Sequence, residues 1–227
     1  MKLNKINENC GALHTEILKQ VVVANKAYLG IAFDGDADRI VVIDRKGKQI
    51  DGGVLLDNFA REYCNNKSVV GTIYTNLAVV NDLEKNNINF ISGGVGDRSV
   101  IDKMNKLGAY FGGEPSGHYI FKNLLNTGDG LVSFAMLLNM LGKRKLQKVK
   151  LYYDSSLVVQ KGDKNFIKNS NYEKEYNDML LKYQNANIII RESGTEPVIR
   201  INVQMKNKNK AIECSRLAEK VVINNLL

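Results

Sequence analysis

Between residues 50 and 142 the sequence alternates short apolar runs with segments of helical period. The apolar runs read SVVGTIY, INFIS and AYFGG, and the segments between them read NLAVVNDLEKN and GDRSVIDKMNKLG. Strands that alternate with helices at such short spacings predict βα units and a largely parallel sheet. We therefore expect an α/β fold with a mixed βα-sheet in this part of the chain.

The flanking segments predict further elements on both sides. Upstream, HTEILKQVVVANK has the apolar spacing of a helix, and Thr15 is placed to cap it. YLGIAF and RIVVID are predicted to be strands, the first of them buried. RKGKQI is predicted to be a turn with Gly47 at its tip. Downstream, GDGLVSFAMLLNMLG predicts a helix, and a basic stretch up to Lys150 marks a boundary. The strands SLVVQK, NIIIR and VIRINVQ with two helices then predict a smaller α+β domain. The expected divisions of the chain are 1–44, 45–150 and 151–227.

Composition limits the classes of partner and compartment. The net charge of +8 suits an anionic partner, but the lysines are scattered, and the single basic cluster, GKRKLQKVK, lacks interleaved aromatic residues. We expect phosphorylated small molecules rather than nucleic acid. Three distant cysteines outside any CxxC pair argue against disulfides and zinc. Without an apolar leader or a membrane-length helix, the sequence predicts a cytoplasmic protein with no membrane partner.

The stretch GIAFDGDADRIVVID carries aspartates at every second position, Asp34, Asp36 and Asp38. Carboxylates that a local bend turns to one side repel each other unless a cation neutralises them, and such hard oxygen ligands suit Mg²⁺ in phosphate chemistry. Arg39 follows directly and is placed to steady a phosphate. An EF-hand is excluded because its sixth and twelfth positions are Arg39 and Arg45. A solvated acidic turn is the plainer alternative.

The stretch RESGTEPVIR between two predicted strands combines hydroxyls, a glycine and two arginines. Gly194 lets backbone N–H groups approach a ligand closely, and arginines supply forked donors. The combination predicts a phosphate cradle without a catalytic group, against the alternative of a capped turn with surface arginines. The cradle residues are Arg191, Ser193, Gly194, Thr195 and Arg200.

Two further loops follow predicted strands. FGGEPSGHYIF places Glu114 and Ser116 two residues apart, a spacing that can grip sugar hydroxyls, with His118 as either a structural or a catalytic residue. GGVGDRSV places Asp97 and Arg98 at a helix start, where Asp97 either caps the helix or contacts a ligand.

In this order, the loops DGDADR, GGEPSGH and RESGTEPVIR resemble the signatures of the α-D-phosphohexomutase family. The stretches INENCGALHTE, VGDR and TGDG point to its phosphoglucosamine mutase branch, and the resemblance covers nearly the whole chain. It implies that Asp34, Asp36 and Asp38 hold Mg²⁺. It gives the remaining candidates catalytic or substrate-binding roles: Arg39 and His118 as catalytic residues; Asp97, Arg98, Glu114, Ser116, Arg191, Ser193, Gly194, Thr195 and Arg200 as substrate-binding residues.

The implied reaction interconverts hexosamine 6-phosphate and 1-phosphate through a phosphoserine and a bisphosphate intermediate. The sequence departs from the family at Pro115, where the branch usually has glutamine, and it contains no S-A-S-H-N-P phosphoserine loop. Its prolines are Pro115 and Pro197, and its histidines are His14 and His118.

Family members have four domains, and 1–44 resembles the tail of the second, with the third and fourth following. We expect the chain alone to be inactive as a mutase and the strand YLGIAF to lose neighbours in its sheet. The expected partners are a phosphorylated hexose or hexosamine and a separately encoded N-terminal half.

Two alternatives stay open. A haloacid-dehalogenase-type phosphatase would use Asp34 as nucleophile and Asp36 as acid, with Asp97 and Asp102 as distal acids. That family usually has threonine or valine at the position of Asp38, and it leaves RESGTEPVIR unexplained. The third possibility is a non-catalytic phosphosugar-binding remnant or partner subunit.

Overall fold

A computed structural model describes residues 8–64, 68–160, 170–194 and 196–226. The described chain forms two compact units, the first up to Thr75 and over Val79–Val149, the second over Asn76–Ala78 and from Lys150 onward. The divisions predicted at residues 44 and 150 stay predictions. Within the described residues, no helix is both long and apolar enough to cross a membrane.

The first unit opens with one helix packed on a small antiparallel sheet of order β1-β2-β3. Its elements are α1 (Glu16–Ala24), β1 (Leu29–Phe33), β2 (Ile40–Asp44) and β3 (Gln49–Ile50). Val22 of α1 packs against Val41 and Ile43 of β2, and this apolar contact holds helix and sheet together.

Two local predictions for this segment need correction. Thr15 precedes the first helical residue, but its side chain makes no capping hydrogen bond. β1 was predicted to be buried, yet only Gly30 is buried in it. The reason is its position, because among the described residues β1 is an edge strand that pairs with β2 alone. Gly47 lies in the predicted turn, with a left-handed φ of 75°.

The rest of the first unit is built on a mixed four-stranded sheet of order β5-β4-β6-β7. β4 is parallel to β5 and β6, while β7 is antiparallel to β6. The α/β class and the predicted alternation are confirmed, whereas β3 and β7 were missed because they are only two and three residues long. The elements are α2 (Gly52–Tyr63), β4 (Ser68–Thr72), α3 (Leu77–Lys85, which belongs to this unit from Val79 onward), β5 (Asn89–Gly93), α4 (Asp97–Leu107), β6 (Phe111–Gly113), β7 (Tyr119–Phe121) and α5 (Gly130–Leu141).

An aromatic cluster fixes the β6–β7 hairpin against α2. Phe59 of α2 lies with its ring centroid 5.1 Å from Tyr119 and 5.3 Å from Phe121, and Phe111 lies 4.9 Å from Phe121. The Tyr119 hydroxyl donates to the Gly52 carbonyl at 2.8 Å, so its polar end is satisfied inside the core. The loop between β6 and β7 is therefore anchored at both ends by the tightly packed aromatic cluster.

The second unit is an antiparallel sheet of order β8-β10-β9 with two helices. Its elements are β8 (Tyr153–Gln160), α6 (Ser170–Lys182), β9 (Asn187–Glu192), β10 (Val198–Met205) and α7 (Lys208–Leu226). Ile199, Ile201 and Val203 of β10 pack with Cys214 and Val222 of α7. This arrangement is the α+β fold predicted for the end of the chain.

Candidate active site

The loop between β1 and β2 gathers the three aspartates. One carboxylate oxygen each of Asp34, Asp36 and Asp38 lies within 4.8 Å of the others. The chain bends between them because Ala37 adopts a left-handed conformation, with φ 58°. Ligand oxygens of an octahedral Mg²⁺ lie about 3–4 Å apart, as follows from its metal–oxygen distance of roughly 2.0–2.1 Å. The three side chains therefore suit a small hard cation in chemistry and in spacing.

Arg39 turns back onto this acidic loop. Its Nε lies 2.6 Å from Asp34 Oδ2 and 3.3 Å from Asp38 Oδ1, and its backbone N–H donates to Asp34 Oδ1 at 3.1 Å. The Asp34 side chain is 6% exposed and that of Arg39 is 37% exposed. The guanidinium therefore neutralises the buried end of the loop while part of its surface stays open to a ligand.

The pKa values of two of the aspartates move in opposite directions. Desolvation opposes the charge of Asp34, but hydrogen bonds with Asp38 and Arg39 outweigh it and lower the Asp34 pKa. Desolvation, together with the hydrogen bond and negative charge of Asp34, raises the pKa of Asp38 despite the nearby His118. The hydrogen bond to Asp34 also raises the pKa of Arg39. These pKa shifts reflect the repulsion between the neighbouring carboxylates of Asp34 and Asp38, which a bound cation would reduce.

The loop between β6 and β7 lies against the acidic loop. Ile40 N–H donates to the Gly117 carbonyl at 3.1 Å. His118 Nδ1 lies 3.1 Å from Asp38 Oδ2. The predicted metal and sugar loops are thus brought together by one backbone and one side-chain contact. Ser116 is exposed, and Glu114 is half-buried.

The loop before α4 joins the same cluster through Glu114, whose Oε1 accepts a hydrogen bond from Gly96 N–H at 3.1 Å. α4 begins at Asp97, so the N-cap residue is Gly96; of the two alternatives for Asp97, helix capping is wrong, and the ligand contact stays a prediction. The Asp97 carboxylate instead accepts the Arg98 N–H at 2.7 Å inside the first turn. Asp97 and Arg98 are both exposed.

The geometry of Asp34 argues against its use as a phosphatase nucleophile. A carboxylate nucleophile must reach the phosphorus atom, yet both Asp34 oxygens accept hydrogen bonds from Arg39. The side chain is also almost fully buried. A carboxylate held in this way is suited to ligating or positioning rather than to attack.

The predicted phosphate loop lies in the second unit, between β9 and β10. Arg191 and Arg200 occupy directly opposite positions on the two strands. Ser193 N–H donates to the Val198 carbonyl at 2.8 Å, which closes the base of the loop. Gly194 is exposed with open space around it, and Arg200 forms an ion pair with Glu196. Thr195 lies outside the described residues.

Sequence reasoning assigned no role to the TGDG stretch, which the structure places beside the acidic loop. Gly130 N–H donates to the Ala37 carbonyl at 2.8 Å. Asp129 is the N-cap residue of α5, and its carboxylate accepts the Val132 N–H at 2.7 Å. The motif was visible in the sequence, but nothing local in it indicated contact with residues about 90 positions upstream.

Comparisons of the sequence with known proteins identify similar proteins for most of the chain. Residues 51–157 match the family model described as phosphoglucomutase/phosphomannomutase, alpha/beta/alpha domain III. A phosphoglucosamine mutase of Ruthia magnifica subsp. Calyptogena magnifica is 41% identical over 217 residues, covering 89% of this chain and 49% of the relative. One from Alcanivorax borkumensis is 36% identical over 229 residues, covering 95% and 52%. The chain thus spans about half the length of the curated relatives it matches.

Solved structures share the fold at low sequence identity. A phosphoglucomutase/phosphomannomutase family protein from Burkholderia thailandensis has a TM-score of 0.77 at 20% identity, covering 94% of this chain and 50% of that one. An Aspergillus fumigatus N-acetylphosphoglucosamine mutase, in complex with GlcNAc-6P and magnesium, has a TM-score of 0.74 at 17% identity, covering 95% and 57%. The family model and the sequence relatives support the family predicted from the three loops, and these structures support its fold.

Proposed function

We propose that this chain, which belongs to the α-D-phosphohexomutase family, supplies the magnesium-, sugar- and phosphate-binding loops of a phosphoglucosamine mutase. The proposed reaction interconverts a hexosamine 6-phosphate and the corresponding 1-phosphate. The hexosamine is proposed to be glucosamine because the curated relatives are phosphoglucosamine mutases. The observation that carries the proposal is the convergence of three carboxylates beside the loop between β6 and β7.

The acidic loop would hold the metal through Asp34, Asp36 and Asp38. A bound Mg²⁺ would supply positive charge to the phosphoryl group in transfer. Arg39, whose Nε and backbone N–H each donate to one Asp34 oxygen, would brace the same phosphoryl group from the protein side. Fixing this guanidinium before the substrate binds lowers the cost of ordering it later.

The remaining loops would hold the rest of the substrate. Glu114 and Ser116 would bind sugar hydroxyls, with further contacts from Asp97 and Arg98, whose exposed side chains are accessible to a ligand. The phosphate that does not react would be held in the second unit by arginine side chains, hydroxyl groups and backbone N–H groups. Its proposed residues are Arg191, Ser193, Gly194, Thr195 and Arg200.

The phosphoryl donor in this reaction is a phosphoserine, and the printed sequence contains no S-A-S-H-N-P stretch to carry it. We therefore place the phosphoserine on a polypeptide segment outside these 227 residues, such as a separately encoded N-terminal half. Without that nucleophile the 227-residue chain binds a phosphosugar but does not turn it over.

The experiment combines a binding assay with a turnover assay on the 227-residue chain. Calorimetric titration with glucosamine 6-phosphate in Mg²⁺ should show binding that weakens in Asp36→Asn and persists in Asp178→Asn, an exposed carboxylate of α6. Phosphorus NMR with added glucosamine 1,6-bisphosphate should show no interconversion. Sustained interconversion would disprove the need for an external phosphoserine, and absence of binding would disprove the phosphosugar site.

A further inference from the structure

His118 is a buried side chain that makes one polar contact with the described residues. The residue is 4% exposed. Its Nδ1 lies 3.1 Å from Asp38 Oδ2, and Asp38 Oδ1 lies 3.3 Å from Arg39 Nε. Each oxygen of the Asp38 carboxylate is therefore held by one neighbouring side chain. A carboxylate fixed at both oxygens has little freedom to turn away from its place in the loop.

The other ring nitrogen of His118 has no hydrogen-bond partner in the described part of the chain. A proton on this buried Nε2 would be a donor without an acceptor, and it would leave the Nδ1 lone pair facing a carboxylate. A proton on Nδ1 instead makes a donor to Asp38. The hydrogen-bond partners thus favour the Nδ1–H tautomer, in which His118 acts toward Asp38 rather than toward a substrate.

Gly128 covers the free side of the imidazole. A Cβ added at Gly128 would overlap His118 Nε2, so only glycine allows the backbone to approach the ring this closely. The backbone of the TGDG stretch consequently shields Nε2 and holds the ring in place. A catalytic role would require that nitrogen to reach a reacting atom, which this cover prevents.

Two more glycines hold the acidic loop from its flanks. A Cβ at Gly130 would lie 2.8 Å from the carbonyl oxygens of Ala37 and Arg39, and a Cβ at Gly117 would overlap the Ile40 carbonyl. Both glycines also make backbone hydrogen bonds to the loop or its end, Gly130 to Ala37 and Gly117 to Ile40. Backbone thus packs against the acidic loop at Ala37 and against its end at Ile40.

We propose that His118 is a positioning residue for the metal loop: its Nδ1–H orients the Asp38 carboxylate, and Gly128 holds the imidazole in the position to do so. This inference rests on the proposed magnesium site. It differs from the catalytic role that the family resemblance implied, because the ring acts through Asp38 instead of reaching a reacting atom. Hydrogen-bond partners of metal ligands typically change metal affinity by about 10–100-fold when they are removed.

The test measures Mn²⁺ binding to the 227-residue chain by electron paramagnetic resonance, with Mn²⁺ as the spectroscopic probe. His118→Leu removes the donor, and His118→Asn keeps an amide N–H near the position of Nδ1. We expect His118→Leu to weaken Mn²⁺ binding by about tenfold or more, and His118→Asn to stay within about threefold of the unsubstituted chain. The line shape of bound Mn²⁺ should also change in the leucine variant alone.

Unfolding temperatures in EDTA separate positioning from a general loss of structure. If His118→Leu does not fold, Gly128→Ala gives the same test, since it leaves the imidazole chemistry intact and displaces the ring. Its matched control is Gly142→Ala, where the nearest atom to a new Cβ is 3.5 Å away. Equal Mn²⁺ affinity in the unsubstituted chain and the folded His118→Leu or Gly128→Ala variant overturns the inference alone. Failure of the unsubstituted chain to bind Mn²⁺ overturns the proposed metal site and the inference together.

Discussion

Arg191 and Arg200 lie directly opposite each other on neighbouring antiparallel strands. Side chains at opposite positions share one face of a sheet with Cβ atoms about 4.5–5.5 Å apart, and like charges in this arrangement destabilise the pair. Glu196 forms an ion pair with Arg200, while Arg191 Nη1 donates to the Glu192 carbonyl at 3.1 Å. A bound phosphate would relieve the repulsion by accepting hydrogen bonds from both guanidinium groups.

We therefore predict that Arg200→Ala weakens binding of glucosamine 6-phosphate by about 10–100-fold. The estimate corresponds to the loss of a hydrogen bond to a charged group, about 1.5–3 kcal/mol. Calorimetric titration measures it, with Arg216→Ala on the exposed side of α7 as the matched control. The free energy of unfolding should hardly fall in Arg200→Ala, because the substitution also removes the repulsion with Arg191. Similar losses of affinity in both variants would contradict the phosphate cradle.

The parts of the site that could be predicted from the sequence depend on contacts within a few residues. Asp34, Asp36 and Asp38 converge because one short loop contains both a turn closed by the Ala37 N–H and the Asp34 carbonyl and the left-handed Ala37. Apart from the short strands β3 and β7, the helices and strands between residues 50 and 142 were also predictable, since their hydrophobic periods are a local property of the sequence. Chemistry that is encoded by one short loop can be read without knowing the fold.

The parts that could not be predicted depend on distant residues. His118 and Asp38 are 80 positions apart, and no local pattern indicates that a buried histidine orients an aspartate. The close approach of Gly130 to Ala37 likewise exists only after α5 has packed. The edge position of β1 depends on which strands pair, so its apolar sequence alone overestimated its burial.

The aromatic cluster under the β6–β7 hairpin gives a prediction for stability. Phe59 is fully buried and its ring lies near those of Phe111, Tyr119 and Phe121. Phe59→Ala should lower the free energy of unfolding by about 3–5 kcal/mol, because it removes apolar burial and leaves a cavity. Urea unfolding followed by circular dichroism measures the loss. Leu131→Ala, at a leucine that is 60% exposed on α5, is the control and should change it by less than about 0.5 kcal/mol.

The three cysteines should differ in reactivity toward a thiol reagent. Burial raises the pKa of Cys64 to about 12. Burial is also the main cause that raises the pKa of Cys214 to about 11. Cys10, in contrast, is exposed. At pH 8 the thiols of Cys64 and Cys214 are almost entirely protonated, and the thiolate is the reactive form. Ellman's reagent should therefore label one thiol rapidly in the folded chain and all three in guanidinium. Cys10→Ser should abolish the rapid phase; a rapid phase that survives in this variant would contradict the raised pKa values of the other two thiols.

Asp57 gives a prediction for the pH dependence of stability. Its side chain is fully buried in α2, with Oδ2 2.8 Å from Arg61 Nε and no partner for Oδ1 among the described residues. Burial raises the Asp57 pKa above the ordinary value of 3.8, and the pair with Arg61 offsets this only in part. The folded chain thus holds the Asp57 proton more tightly than the unfolded chain. The contribution of Asp57 to the free energy of unfolding is greatest below pH 3.8 and falls as the pH rises through the raised pKa.

Asp57→Asn cannot ionise and should remove this dependence. The free energy of unfolding of the unsubstituted chain, minus that of Asp57→Asn, should therefore be larger at about pH 4 than at about pH 7. Urea unfolding of both chains across this range measures the difference. Asp178→Asn, at an exposed carboxylate of α6, is the control, and its difference from the unsubstituted chain should stay constant with pH. A difference that grows with pH would mean that the attraction to Arg61 outweighs burial and lowers the Asp57 pKa instead.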